Sequence, residues 1–388
     1  MRASYTGFVD RGQSPVAELW SALTSLSSVG RPHLYGYTPV ARNNPFQSLL
    51  YKKFADHGIA TAPILRPEKF RALTDFRDLA NGTTLHLHWN AWMTFGSVEP
   101  DRARRMAMGI IGRLESLRAK GSNLVWTVHN LYPHDAKFID LELEVQQRIA
   151  DSANVIHVMS RSTQDAMKGI VDLAPEKVLF APHPNYRGAY QDLTTREEAR
   201  CVLGLGPDEV VFLLFGALKP YKGLQRLLDA LDIVVRRNPD RQIRLLVAGA
   251  PDDSPEAESF VRNALVHPNV LIEPARIPAE RAQYFLRASD VGLVNYERML
   301  NSGAALLYQT FGLPTVAADQ ATLREGLPSD ATVFVDGTGP DDFADALEKA
   351  TETLVSKEIR DRVAAYIRQF DPDIVSDRFA SDLLERLQ

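Results

Sequence analysis

Val210-Val-Phe-Leu-Leu-Phe215 runs into Gly216-Ala-Leu-Lys-Pro-Tyr-Lys-Gly223, and then into Leu224-Gln-Arg-Leu-Leu-Asp-Ala-Leu-Asp-Ile-Val-Val-Arg-Arg237. Six consecutive apolar residues are what a strand buried on both faces requires, as in a parallel sheet. After the turn, apolar residues recur every three to four positions, which predicts an amphipathic helix over Leu224–Arg237. Gly216 supplies a tight turn, and Lys219 and Lys222 flank the rigid Pro220, so both ammonium groups could reach one anion. The N-terminus of the helix that follows adds a partial positive charge. Strand, glycine turn, helix is the repeating unit of an α/β sheet that binds ligands at its strand ends.

The same rhythm extends in both directions. Downstream, strands are predicted at Arg244–Ala248, Val270–Ile272, Val291–Val294, Thr315–Ala317 and Thr332–Val335. Upstream they fall at His33–Tyr37, Ile59–Ile64, Thr84–His88, Leu124–His129, Val155–Val158 and Val178–Ala181, with helices at Asp101–Lys120 and Phe138–Ala150. Pro, Gly and polar residues interrupt the periodicity at Pro182–Thr195. The expected organisation is an N-terminal Rossmann-like domain over residues 1–190 and a second over 191–370. Residues 371–388 form a terminal helix packing back across the domains, with Ile374, Phe379, Leu383, Leu384 and Leu387 as its apolar stripe. The fold class is thus α/β, two doubly wound Rossmann-like domains facing a central cleft.

A chain of 388 residues suits two such domains. Hydrophobic residues at 45% and charged residues at 24% exclude a disordered or fibrous chain. The single Cys201 excludes an intrachain disulfide or a cysteine zinc site. The start lacks an apolar signal core and the longest apolar run cannot cross a bilayer, so a cytoplasmic protein is expected. The net charge of −5 divides into +5 over residues 1–190 and −10 over the remainder. That asymmetry suits an anionic ligand or membrane surface on one side. Scattered basic residues without a stacking-aromatic motif exclude nucleic acid as a partner. The basic helix 101–120, with Arg102, Arg104, Arg105, Arg113 and Arg118, is the candidate for contact with the inner face of a membrane.

A second phosphate element follows the strand at Val291: Asn295-Tyr-Glu-Arg-Met-Leu-Asn-Ser-Gly303, leading into a helix that reaches Phe311. Asn301 or Ser302 can cap this helix, and Gly303 leaves its first amides open to an anion. With both loops in place, the segment from FGALKPYKG through NYERMLNSG to FGLPTVAAD resembles the donor domain of GT-B glycosyltransferases. It is most similar to bacterial exopolysaccharide and glycolipid transferases with a family-four-like donor domain. The resemblance covers most of residues 205–320. It implies a nucleoside-diphosphate sugar as co-substrate, with Gly216, Lys219, Lys222, Asn301, Ser302 and Gly303 on the diphosphate and Tyr296 or Arg298 near the donor. Two glutamates eight positions apart mark many retaining members. Here those places hold Met299 and Leu307, and neither hydrogen-bonds a hydroxyl as a carboxylate does. An arginine often found after the loop glycine is Ala217. These departures favour inversion, with Glu297 as a partial substitute.

Inversion needs a general base, expected from the N-terminal domain. Thr127-Val-His-Asn-Leu-Tyr-Pro-His-Asp135 places two imidazoles and a carboxylate after a strand. Asp135 is the expected base, His134 the next candidate, and His129 an orienting group. At Leu85-His-Leu-His-Trp-Asn-Ala-Trp92, strand alternation sends His86 and His88 to one face. His86 reads as structural, while His88 and Trp89, with Asn44, are acceptor-binding candidates. No metal site is expected, because HxH on a strand lacks a third ligand, and no cofactor is needed beyond the nucleotide sugar. The functional expectation is transfer of a sugar from GDP-mannose or a UDP-sugar to a saccharide or lipid-linked saccharide, inverting and metal-independent. The alternatives are a GT-B-type nucleotide-sugar epimerase and a catalytically inactive GT-B subunit that binds a nucleotide sugar or partner.

Overall fold

A computed structural model describes residues 16–26, 30–42, 44–94, 99–131, 137–296 and 299–387. The chain divides into two compact units. The first runs to Pro182 and includes the segment from Asp373 onward; the second is His183–Pro372. The break falls after Pro182 rather than after Tyr190, because Asn185 and Tyr186 are tied to the second unit. The Asn185 amide N–H donates to the Phe370 carbonyl at 2.7 Å, and the Tyr186 N–H to the Thr310 hydroxyl at 3.0 Å.

The first unit holds six parallel strands: β1 (His33–Thr38), β2 (Ile59–Pro63), β3 (Thr83–Leu87), β4 (Asn123–Thr127), β5 (Val155–Val158) and β6 (Val178–Phe180). Their order is β2-β1-β3-β4-β5-β6. The chain therefore leaves β1 towards one edge and returns at β3 towards the other, so the switch point lies between those two strands. Phe46, Leu50, Tyr51 and Phe54 form one cluster with Val125, Val155 and Leu179, and the C-terminal helix Pro372–Leu387 closes it with Phe379, Ala380 and Leu383. Ile374, expected in that stripe, is exposed, and the neighbouring Val375 is buried instead. Val375, Phe379 and Leu383 recur every four residues and define the buried line.

The second unit repeats the plan with β7 (Val210–Phe215), β8 (Ile243–Ala248), β9 (Val270–Glu273), β10 (Val291–Val294), β11 (Thr315–Ala318) and β12 (Thr332–Val335). The order is β12-β11-β10-β7-β8-β9, all parallel, with the switch point between β7 and β10. The helix Leu224–Arg237 turns Leu224, Leu227, Leu228, Leu231 and Val234 onto β7 and β8. Gly292 in β10 lets the Tyr308 ring lie against the strand, since a Cβ there would come within 2.3 Å of that ring. At the opposite end of the sheet, the buried Asp290 carboxylate accepts from Arg196 at 2.6 Å, Arg200 at 2.8 Å, Arg360 at 3.2 Å and the Val211 N–H at 2.9 Å. One carboxylate thus joins two helices, Arg196–Leu203 and Lys357–Tyr366, to β7 and the start of β10; such a charge is tolerable only because every oxygen is bonded.

Candidate active site

The strongest site geometry in the second unit lies at its switch point. Pairing continues past the strand ends: the Gly216 N–H donates to the Ala248 carbonyl at 2.9 Å and the Leu218 N–H to the Ala250 carbonyl at 2.8 Å. Gly216 has φ +91°, and Gly249 lies so close that a Cβ on it would stand 2.1 Å from the Gly216 carbonyl oxygen. The loop is therefore held from both sides, and Lys219 enters a short 3-10 turn at Pro220–Lys222 that ends on the left-handed Gly223.

Lys222 is folded inward. It is 4% exposed; its ammonium donates to the Phe215 carbonyl at 3.3 Å and lies 5.4 Å from the centre of the Tyr296 ring. Burial, with a smaller push from the charge of Lys219, lowers its pKa from 10.5 to about 7. A lysine that is buried, with no carboxylate bonded to it among the described residues, suits an anion. The Tyr296 ring is itself buried and edge-on to Tyr221, with centroids 5.5 Å apart. Its hydroxyl is bonded to that of Ser302, and burial pushes its pKa well up. Tyr296 thus supports the site from below and does not offer a free face to a donor.

Ser302 caps the helix Gly303–Thr310 by accepting the Ala305 N–H at 3.1 Å. Asn301 is half-buried just ahead of it. Gly303 is required by close approach, since a Cβ there would meet the Tyr186 hydroxyl at 2.6 Å, with His183 Nε2 at 3.9 Å. Burial lowers the His183 pKa to about 4, so the ring is neutral. The helix N-terminus is thus lined by neutral groups and a dipole. Asn295, after β10, donates to the Gly223 carbonyl at 3.2 Å, and Arg226 donates to the Asn295 carbonyl at 3.1 Å. These bonds lock the two loops together, and periodicity gives no hint of them. Met299 and Leu307 are both buried, which explains apolar residues at those positions. Arg298 and Glu297 lie outside the described residues.

In the first unit, Asp135 and His134 lie outside the described residues. His129 is half-buried two positions beyond β4, and its ring stacks on Trp89 at 4.2 Å and 21°. His88, an acceptor-binding candidate, turns into the interior of the unit. It is fully buried, Nε2 facing the Tyr51 hydroxyl at 2.5 Å and Nδ1 facing His129 Nε2 at 3.1 Å. Alternation placed it with His86 on a face that the C-terminal helix covers. Asn44 is exposed, and its side-chain oxygen accepts the Phe46 N–H at 3.0 Å, starting the helix Phe46–Leu50.

A carboxylate absent from the sequence candidates is Glu142. It is buried, accepts from Asn90 at 3.3 Å and from the Thr94 hydroxyl, and burial raises its pKa. Its position on one face with Val145, Gln146 and Ile149 was the available signal. The apolar side of the basic helix, observed at Pro100–Ala119, is spent in the core through Ala103, Ala107, Ile110, Ile111, Leu114 and Leu117. Membrane contact through it would be electrostatic rather than by insertion. Among the described residues no helix is long and apolar enough to cross a membrane, and no cluster of three or more His, Cys, Asp or Glu could hold a metal.

Comparison with known proteins agrees with this geometry. Residues 209–353 match the model of the family "Glycosyl transferases group 1". D-inositol 3-phosphate glycosyltransferase from Paenarthrobacter aurescens is 26% identical over 272 residues, covering 66% of this chain and 65% of the relative. The enzyme of the same name from Rhodococcus erythropolis is 33% identical over 168 residues, covering 39% and 36%. The chain thus spans less than two thirds of the length of these relatives. Among solved structures, sucrose-phosphate synthase from Thermosynechococcus elongatus superposes with a TM-score of 0.66 at 16% identity over 92% of this chain and 99% of that one. Anabaena HepE, in complex with UDP and glucose, gives 0.64 at 12% identity over 92% and 100%. The chain shares the two-domain α/β fold of these solved structures. Its second unit carries the glycosyl transferases group 1 domain.

Proposed function

We propose that the protein transfers a sugar from a nucleoside-diphosphate sugar, GDP-mannose or a UDP-sugar, to a saccharide or lipid-linked saccharide, with inversion and without a metal. The observation that carries this reading is the inward-turned Lys222, buried at the switch point of a group 1 domain with no carboxylate bonded to it among the described residues. The solved complexes of HepE with UDP and with UDP-glucose support a nucleotide sugar as the ligand of this unit.

In this reading the second unit binds the donor, and the first supplies the acceptor contacts and the base. Asp135, or His134 in its place, removes the proton of the acceptor hydroxyl. The oxygen attacks the anomeric carbon, the bond from that carbon to the diphosphate breaks, and the nucleoside diphosphate leaves with the electron pair. Lys219, Lys222 and the amides opening the helix at Gly303 take up the charge that develops on it. Met299 and Leu307, apolar and buried, supply no carboxylate from their own positions, which supports a single, inverting displacement. The test is a thermal-shift screen of the whole chain against GDP, UDP and their common sugars, followed by NMR of the product anomer. Stabilisation by one nucleotide family and an inverted linkage are expected. No response to any nucleotide refutes the donor assignment, and a retained anomer refutes the single displacement.

A further inference from the structure

The first unit holds a cavity of about 420 Å³ whose lining includes none of the donor-loop or acceptor residues described above. Small-molecule sites occupy roughly 300–1,000 Å³, so the space suits a ligand. One wall is the turn and short helix at 67–74, and the other is the C-terminal half of the helix Pro100–Ala119 with its C-cap Lys120. Gly109, Gly112, Arg113, Ser116 and Lys120 recur every three to four positions, which puts them on one stripe of that helix. Phe70 and Leu117, both buried, close the floor. Lys120 stands three residues before β4 begins, so the cavity sits towards the N-terminal end of the sheet. Trp89 and His129 follow the C-terminal ends of their strands, where an acceptor is expected.

Charge gives the cavity its character. Arg71, Arg113 and Lys120 line it against a single carboxylate, Glu68. Among the described residues no carboxylate pairs with Arg113 or Lys120, and the Arg113 guanidinium folds back to donate to the Gly109 carbonyl at 3.0 Å. Arg71 meets Asp75 one turn on at 3.5 Å, an exposed pair that holds it weakly. Three like charges around one hollow repel one another, and an anion inside it removes that cost. The glycines give the cavity its depth. Glycine inside a helix costs stability through the freedom it loses on folding. Neither has the positive φ that would demand it. Crowding does not demand it either: a Cβ on Gly112 would meet nothing within 4 Å, and one on Gly109 only the Arg113 guanidinium at 3.6 Å. The space that the absent side chains leave is the space beside the three cations.

We propose that this cavity binds the phosphate group of an organic ester, either a free phosphate monoester or the headgroup of an anionic lipid, with Arg71, Arg113 and Lys120 on the phosphate oxygens and the body of the ester against the helix backbone bared at Gly109 and Gly112. An arginine presents a planar fork to a phosphate and a lysine a point charge, and the three together match its several oxygens. Ser116 and Glu68 offer a donor and an acceptor to hydroxyls on the ligand. The site does not depend on the glycosyl-transfer reading above, since none of its residues takes part in that chemistry.

The probe is glycerol 3-phosphate, titrated into the whole chain by calorimetry at low salt, with glycerol as the uncharged control. Vesicles of phosphatidylglycerol, set against phosphatidylcholine, present the same group on a lipid. Glycerol 3-phosphate should bind and glycerol should not. Arg113→Gln and Lys120→Gln, both on the surface, should each weaken binding about tenfold. Gly112→Leu should abolish it by filling the hollow, while a better helix former at that position keeps the fold. Capture by phosphatidylglycerol vesicles without a response to glycerol 3-phosphate, lost in the same three variants, assigns the phosphate to a lipid headgroup. Vesicle capture that a folded Gly112→Leu leaves intact is only the general attraction of a basic helix for an anionic surface, and it overturns the proposal. Glycerol 3-phosphate binding that survives a folded Gly112→Leu, or that both glutamine variants leave unchanged, lies elsewhere in the chain and overturns it equally. So does a wild type that responds to neither probe. If Gly112→Leu fails to fold, the two glutamine variants decide.

Discussion

On the proposed reading, Lys222 should tie the affinity for a nucleotide sugar to pH. In the unliganded protein its pKa lies at about 7 because the ammonium is buried and Lys219 stands nearby. A bound diphosphate supplies the missing counter-charge and restores the proton. A nucleotide sugar is the right probe, since its doubly esterified diphosphate keeps its charge across the range and the titration belongs to the protein. At pH 6 roughly nine tenths of the lysine is already charged; at pH 8 only about one tenth is. Affinity should therefore fall about tenfold, or about 1.4 kcal/mol, for each pH unit above 7. Binding at pH 8 should take up roughly 0.9 proton, against about 0.1 at pH 6. Titration calorimetry in buffers of different ionisation enthalpy measures both quantities. Lys222→Arg stays charged throughout and should flatten the slope, while Lys222→Ala should lose one to two orders of magnitude, about 1.5–3 kcal/mol. A flat affinity with no proton uptake between pH 6 and 8.5 would refute the argument. The sign for folding follows from the same depressed value. Between about 7 and 10.5 the unfolded chain binds more protons at this group. Its contribution to stability is therefore present at high pH and lost as the pH falls through 7.

Gly303→Ala should abolish nucleotide binding by driving a methyl into the Tyr186 hydroxyl, and Gly303→Ala with Tyr186→Phe should recover part of it in the same calorimetric assay; no recovery would mean that another contact demands the glycine. Asp290→Asn removes the charge that three arginines share and should cost about 3–5 kcal/mol in urea unfolding, whereas a loss below about 1 kcal/mol would make the cluster a surface-like network. Asp135→Asn should leave nucleotide-sugar affinity intact while turnover collapses; near-normal turnover passes the base role to His134.

The parts legible in the sequence are those that repeat. Twelve mainly apolar runs separated by helical periodicity gave every strand of both sheets to within about two residues, because a parallel strand buried on both faces is built mostly from apolar and β-branched residues. The two glycine-bearing loops of the second unit were legible for a different reason. Gly216, Gly223 and Gly303 stand where a backbone must turn left-handed or approach another group closely. What could not be read is which way a polar side chain turns once its strand is known. Lys222, in the turn that follows β7, and His88, just past β3, sit where solvent or ligand is the ordinary expectation, and both are folded inward. The partners that draw them in, Tyr296 and Tyr51, lie 74 and 37 residues away. Glu142 was hidden by the opposite confusion, since a glutamate in the first turn of a helix reads as a favourable dipole partner whether or not it is buried.

The return of the last helix to the first unit has a consequence for biosynthesis. A nascent chain that has emerged as far as Pro182 possesses all six strands of its leading domain, yet the sheet face bearing His86 and His157 is only partly covered, by Tyr51 and its neighbours, until Phe379 and Leu383 leave the ribosome. The trailing domain can complete itself during that interval, so the half made first is the half finished last.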